Sequence, residues 1–422
     1  MGGIGAVAEP LVVIFLLFGG TWINRDFDPG RKSLQAYRRA SQEDDLESRS
    51  SSPSLLVTQE PHWRTQSLHF FGWQKEVVTP NTRKFKGYLL SRLLEKFPFL
   101  VECWYWALIY WVYQLGRAAT AVWIVEGTVH AARKHALQVI AWEQSLGIFH
   151  ELGVQQWFMA QPFLMTWINR IYSFIHIPGS IAFLVWLFYY TNTRNRLRHG
   201  GSNTSELMGS PAGPRLYEAR RRTMAFCNLL AFIVFTLWPC MPPRLLSADT
   251  SSGETGSLAR SYGFVDTVHG PLGEGSIWTD NRFTNKFAAM PSLHFGYSLL
   301  IGLTIATIPL HPAHDISSSS LSIPFIKRGI PLPSWRRASC LLVGTLYPAT
   351  ILTAIIATAN HFILDAVAGA CICGIAWWGN DVMLNLLVIE DWFLWIVRIH
   401  KPESCVVEFS ENDEDEKGVY IR

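Results

Sequence analysis

The chain has 422 residues, of which 49% are hydrophobic, 13% aromatic and 16% charged, and it carries 18 Trp. Soluble domains carry about 25% charged residues, so the balance argues against a soluble single-domain enzyme and for a chain that meets lipid over much of its surface. With 36 basic and 33 acidic residues the net charge is only +3, and no basic block is interleaved with aromatics, which sets nucleic acid aside as a partner.

In chain order, residues 5–23 hold an apolar run, Leu11–Phe18, with no basic residue before it. Lacking the basic leader and small-residue cleavage site of a secretory signal, it reads as a marginal N-terminal anchor. Residues 24–97 are polar, and the Ser-rich acidic stretch Ser41–Ser54 predicts a mobile segment rather than a packed domain. Long apolar stretches then predict six membrane spans near 98–124, 163–190, 223–241, 291–310, 339–359 and 362–379, each long enough for a hydrocarbon core of about 30 Å. Between the first two, residues 131–159 place Leu137, Ile140, Leu146 and Phe149 at helical spacing among His, Glu and Gln. This predicts an amphipathic helix lying at the interface.

The loop 191–222 holds Arg194, Arg196, Arg198, Arg215, Arg220, Arg221 and Arg222, and the loop 311–338 holds Lys327, Arg328, Arg336 and Arg337. The positive-inside rule makes both cytosolic, so 125–162, 242–290 and the link at 360 fall on the opposite, outer side. The acceptor triplet Asn203-Thr204-Ser205 would then lie in the cytosol, unused. After the sixth span, 383–399 is apolar but carries Glu390 and Asp391, and two mid-membrane acids would cost several kcal/mol, so an interfacial helix is expected. Glu411–Glu416 closes the chain as an acidic tail. Seven cysteines sit mostly in apolar runs; Cys371 and Cys373 match neither a zinc pair nor a CxxC motif, so they read as core residues.

Residues that could do chemistry gather on the predicted outer side. In Asn285–His294, Pro291 suits a first helical position, and a helix starting there would turn free N–H groups outward as an anion site, with Ser292 adding a hydroxyl and His294 one turn inside. In Asn360–Asp365, His361 and Asp365 are four apart and would share a helix face. The carboxylate could then hold one imidazole nitrogen and leave the other free to attack phosphorus, while His294 protonates the leaving oxygen. The competing reading of each histidine is an interfacial residue. A metal site at His361 and Asp365 lacks a third ligand of recognisable spacing, so no metal and no cofactor are expected. Arg117 inside the first span, Arg244 after Pro242-Pro243, and Arg282 and Lys286 before His294 are candidate phosphate-binding cations; for Arg117 the rival is snorkelling.

Ala289-Met290-Pro291-Ser292-Leu293-His294 and Asn360-His361-Phe362-Ile363-Leu364-Asp365 resemble the second and third signature motifs of the type 2 phosphatidic acid phosphatase superfamily. The likeness is greatest to the branch with fungal inositol phosphorylceramide synthases (the inositolphosphotransferase type). Supporting stretches are Glu143–Glu151, Trp238–Arg244 and Gly263–Thr267, and the resemblance covers roughly 98–380. It implies an all-α, six-helix membrane core over 98–380, between an N-terminal region 1–97 and a C-terminal region 381–422. It also implies chemistry through a phosphohistidine, with His361 as nucleophile, Asp365 its orienting partner, His294 the acid and Ser292 among the phosphate ligands. The first family motif, a Lys followed seven residues later by Arg-Pro, is missing, and Arg244 stands in for it. Ala354-Ile355 replaces the Ser-Arg that often opens the third motif, and Leu293 replaces the usual Gly of the second. The expected function is transfer of a phosphoryl or phospho-headgroup from a lipid to an alcohol acceptor at a lumenal face of the endoplasmic reticulum or Golgi. The rivals are a lipid phosphatase using water and a non-catalytic scaffold or lipid-binding protein.

Overall fold

A computed structural model describes residues 3–26, 62–70, 72–122, 126–194, 211–247, 253–268, 287–311, 316–321 and 330–402. Helices dominate. The first, α1 (Gly3–Ile23), covers the predicted anchor and packs on a later helix where Gly20 meets Val185 and Phe99.

The stretch 62–97 forms a hairpin and a helix to which the sequence assigned no structure, while the expected mobile stretch Ser41–Ser54 lies outside the described residues. Strands β1 (Trp63–Phe70) and β2 (Trp73–Pro80) form an antiparallel hairpin, Trp63 opposite Pro80 and Phe70 opposite Trp73, followed by α2 (Leu89–Lys96). A lone hairpin is marginal in water. This one is fastened to the C-terminal region: Arg64, Gln66 and Thr79 all donate to the buried carboxylate of Asp391.

Helix α3 (Phe99–Val122) occupies the first predicted span. The expected single amphipathic helix over 131–159 is two helices, α4 (Glu126–Leu146) and α5 (Glu151–Met159). The break falls at Gly147, whose φ of 69° lies in the left-handed region that ends a helix most readily at glycine. Next comes α6 (Pro162–Thr193), a continuous helical run with π-helical turns at Ile171–Ile175 and Tyr189–Thr193. Helices α7 (Pro214–Leu237), α8 (Pro243–Leu246), α9 (Glu254–Ser261), α10 (Leu293–Ala306), α11 (Trp335–Ala357), α12 (Ile363–Gly379) and α13 (Leu387–Ile396) complete the described helices; a short pair of strands, Ile316–Leu321 and Ile330–Pro333, precedes α11.

All six apolar stretches are thus helical. By length and composition three runs can cross a membrane: α6, α11 and the continuous Ile363–Ile396, which joins α12 to α13. The protein is an all-α membrane protein with small accessory strands. At 14 residues α10 spans about 21 Å, short of a bilayer core, because the residues ahead of it form an extended turn at the site. Glu390 and Asp391 are not bare: Glu390 accepts from Lys401 Nζ (2.7 Å) and Tyr105 Oη (2.7 Å). The six described cysteines are unpaired.

Helix α10 lies at the centre of the bundle, packed on α11 and α12. The backbones nearly touch: a Cβ on Gly302 would lie 2.3 Å from the carbonyl oxygen of Gly344, and one on Gly369 would lie 2.3 Å from that of Ser292. These approaches, available only without a Cβ, bring the N-terminal ends of α10 and α12 together.

Candidate functional site

The link between α11 and α12 is a tight turn through Thr358, Ala359, Asn360 and His361. Ala359 has φ 49°, a left-handed conformation that costs a non-glycine residue about 1–2 kcal/mol and must be held by its surroundings. It is held: the Ala359 carbonyl accepts the N–H of Arg244 (2.9 Å), and the N–H groups of Asn360 and His361 return to the Ile355 carbonyl.

His361 and Asp365 do meet, with Nδ1 3.5 Å from Oδ2, but not as two residues on one helix face. Phe362 caps α12 and Asp365 is its third residue, so His361 lies just outside the helix. The Asp365 carboxylate folds back to accept the N–H of Phe362 (2.9 Å), and the principal partner of His361 is a backbone group, since Nδ1 sits 2.8 Å from the Ala289 carbonyl. A carbonyl can only accept, so Nδ1 carries the proton and Nε2 keeps its lone pair.

Two further carboxyl groups share this helix start. Glu151 Oε1 accepts from the N–H of Ile363 (2.8 Å) and Glu143 Oε1 from that of Leu364 (2.8 Å). With Asp365, they satisfy successive orphan donors at the positive end of α12, which is therefore filled by protein and not open to an anion. Both glutamates are fully buried. Burial, followed by the neighbouring Glu151, pushes the Glu143 carboxyl up to about 9, so this pair holds a proton at neutral pH.

Ser292, expected at the second position of its helix behind Pro291, is instead the N-cap of α10. Its Oγ accepts from the N–H of Phe295 (3.4 Å), its own N–H donates to the Asp365 carbonyl (2.9 Å), and it is fully buried. His294 follows as the second residue of α10, its ring centroid 5.5 Å from that of His361.

Arg244 sits in α8 with its backbone tied to Ala359. Its Nε donates to Asn360 Oδ1 (2.7 Å) and Nη1 to Asp266 Oδ2 (2.7 Å), while Asn360 Nδ2 donates to Thr358 Oγ1 (2.8 Å). The guanidinium therefore clamps the residue before His361, and among the described residues these bonds use two of its five N–H donors.

The structure brings together His361, Asp365, His294, Ser292 and Arg244. The backbone of Arg117 lies in α3, but its side chain, like the whole of Arg282 and Lys286, lies outside the described residues. Asn360, Asp266, Glu143 and Glu151 belong to stretches the sequence marks without giving them roles. Tyr172 and His176 of α6 were missed: the Tyr172 ring stacks 5.0 Å from His294 and the His176 ring lies 4.5 Å from it. Their signal is a histidine inside a predicted membrane span. Among the described residues, no group of three or more His, Cys, Asp or Glu is placed to hold a metal ion.

Compared with known proteins, the chain matches the family model described as the PAP2 superfamily over residues 137–199, 209–317 and 331–379, just over half of its length. No curated protein and no solved structure matches it.

Proposed function

The chain belongs to the PAP2 superfamily and is an enzyme of the phosphatase or phosphotransferase type; from that premise we propose that it moves a phosphoryl or phospho-headgroup from a lipid to an alcohol acceptor through a phosphohistidine on His361. The observation that carries this reading is the Nδ1 contact to the Ala289 carbonyl, which leaves Nε2 of His361 as a lone pair beside the His294 ring.

In the first step the Nε2 lone pair attacks phosphorus, the bond from phosphorus to the lipid oxygen breaks with its electrons on that oxygen, and His294 delivers a proton to it. In the second the acceptor oxygen attacks, the P–N bond breaks, and His294 takes the acceptor's proton. Asp365 holds the helix start behind His361, and the spare N–H groups of Arg244 face charge growing on the phosphate oxygens. Ser292 contributes its hydroxyl hydrogen, and Arg117, Arg282 and Lys286 are the further candidate cations.

The short, buried approach of α10 and α12 supports a lipid substrate reached at the end of membrane helices. The basic loops support a lumenal site, and the motif likeness supports an endomembrane address with a sphingolipid-like alcohol as acceptor. With water as acceptor the same steps give a lipid phosphatase. The test uses purified full-length protein and phosphatidic acid labelled on phosphorus. An acid-labile protein label is expected, lost in His361→Ala; a label that persists in that variant removes His361 as nucleophile. Chasing the label with a ceramide-type alcohol or with buffer alone separates transferase from phosphatase.

A further inference from the structure

His361 is tied through its ring nitrogen to a carbonyl, but His294 has no hydrogen bond to its ring among the described residues. Its imidazole is bounded by rings instead: His176 at 4.5 Å and 39°, Tyr172 at 5.0 Å and 27°, and His361 at 5.5 Å and 56°. Tyr172 and His176 are four residues apart in α6, and the turn that joins them, Ile171–Ile175, is π-helical. Such wide turns inside α-helices are uncommon, and this one lies where two rings of α6 meet a single neighbour.

The packing of α6 does not account for His176. A polar ring inside an apolar membrane helix is expensive unless it is paired. Among the described residues its Nδ1 is buried with no hydrogen-bond partner, and its ring contacts are His294 and, at 6.1 Å and 15°, Tyr297 of α10. The ring is held where a proton donor must be aimed. A general acid works only when its N–H points at the leaving oxygen in the transition state, and an imidazole with no hydrogen bond of its own can turn about its last side-chain bond.

We propose that His176 is a positioning residue for His294: with Tyr172 it forms an aromatic wall, built on the π-turn of α6, that fixes the plane of the His294 imidazole and so aims its proton at the departing lipid oxygen. The inference rests on the acid role given to His294 above. It requires the flat ring at position 176 rather than its nitrogens.

The test exploits leaving-group chemistry in the full-length protein in mixed micelles, following release of the alcohol in a single turnover, which precedes the acceptor step. Dioctanoyl phosphatidic acid must expel a strongly basic alkoxide and needs a proton; p-nitrophenyl phosphate expels a weakly basic phenolate and does not. General acid catalysis contributes about 10²–10⁴-fold, so His176→Ala should lower the single-turnover rate on the phosphatidic acid by about tenfold or more and change that on the aryl ester by less than about twofold. His176→Phe, which keeps a flat ring, should recover most of the lost rate. Equal falls on both probes would mark His176 as scaffold and overturn the proposal, as would an unchanged phosphatidic acid rate or failure of Phe to recover it. Failure of the parent reading shows separately: turnover that survives His361→Ala removes the phosphohistidine route, and the aimed acid with it, whatever happens at position 176.

Discussion

Glu143 shows how far a residue can act from the chemistry. Its carboxyl accepts the Leu364 N–H and faces Glu151, Asp365 and Cys240, with His361 beyond Asp365, and burial with the Glu151 charge raises it from the ordinary 4.5 to about 9. A carboxyl raised on folding binds its proton more tightly in the native state, so the native chain holds more protons than the unfolded one between pH 4.5 and about 9. The contribution of this group to stability is therefore best below pH 4.5, falls as pH rises through that window, and is lowest above 9. Glu143→Gln keeps an oxygen for Leu364 and removes the ionisation. The temperature of thermal inactivation in micelles should fall less steeply for the variant than for wild type between about pH 7 and 10, and parallel curves would contradict the shared proton. The role of Glu143 was invisible in the sequence because it needs a helix start more than two hundred residues away. The grouping of His361, Asp365, His294 and Arg244 was legible because each lies in a short local motif, whereas the contact of the His176 ring with His294 joins helices far apart in the chain.

At the scale of elements, the site depends on two helix ends held at backbone contact. Gly369 is where α12 meets the carbonyl of Ser292, and a methyl group there would sit 2.3 Å from that oxygen. Neither partner is a flexible side chain, so Gly369→Ala must push α10 and α12 apart. Overpacking of this kind costs about 1–3 kcal/mol, and a shift of about 1 Å between reacting groups can cost about 10²-fold in rate. Activity of Gly369→Ala should fall about that much while the protein still purifies as a folded species. Gly374, one turn further along the same helix, has only Trp378 Cζ3 at 4.0 Å, so Gly374→Ala should retain wild-type activity. Equal losses in both variants would show that helix propensity rather than the α10 approach is responsible. Apolar length made the helices legible. The hairpin at 63–80 was not, because its polar strands have no buried face of their own and gain their order from Asp391, far along the chain. The split of α4 from α5 had a visible sign in Gly147, outweighed by the continuing apolar periodicity.

For the whole molecule, the surface explains the composition. Trp104, Trp111, Trp167 and Trp378 are all at least half exposed on helices α3, α6 and α12, where lipid rather than water is the solvent that tolerates them. The excess of Trp thus belongs to the outside of the bundle, and the scarce charge is spent on Arg244 and the carboxylates around His361, and on pairs such as Arg221 with Glu102. The basic ends carry the proposed direction of insertion. Arg215, Arg220, Arg221 and Arg222 line the start of α7, and Arg336 and Arg337 the start of α11; the proposed lumenal site requires both helix starts in the cytosol and α9, with the site, across the membrane. Ser257 on α9 and Arg336 are both exposed, so Ser257→Cys and Arg336→Cys report the two sides. In sealed vesicles oriented with the cytosolic face outward, an impermeant maleimide should label Cys at 336 directly and Cys at 257 only after permeabilisation, each judged against the unsubstituted chain. Direct labelling of both positions would put the site on the cytosolic side, and the lumenal donor and acceptor proposed for His361 would have to be abandoned.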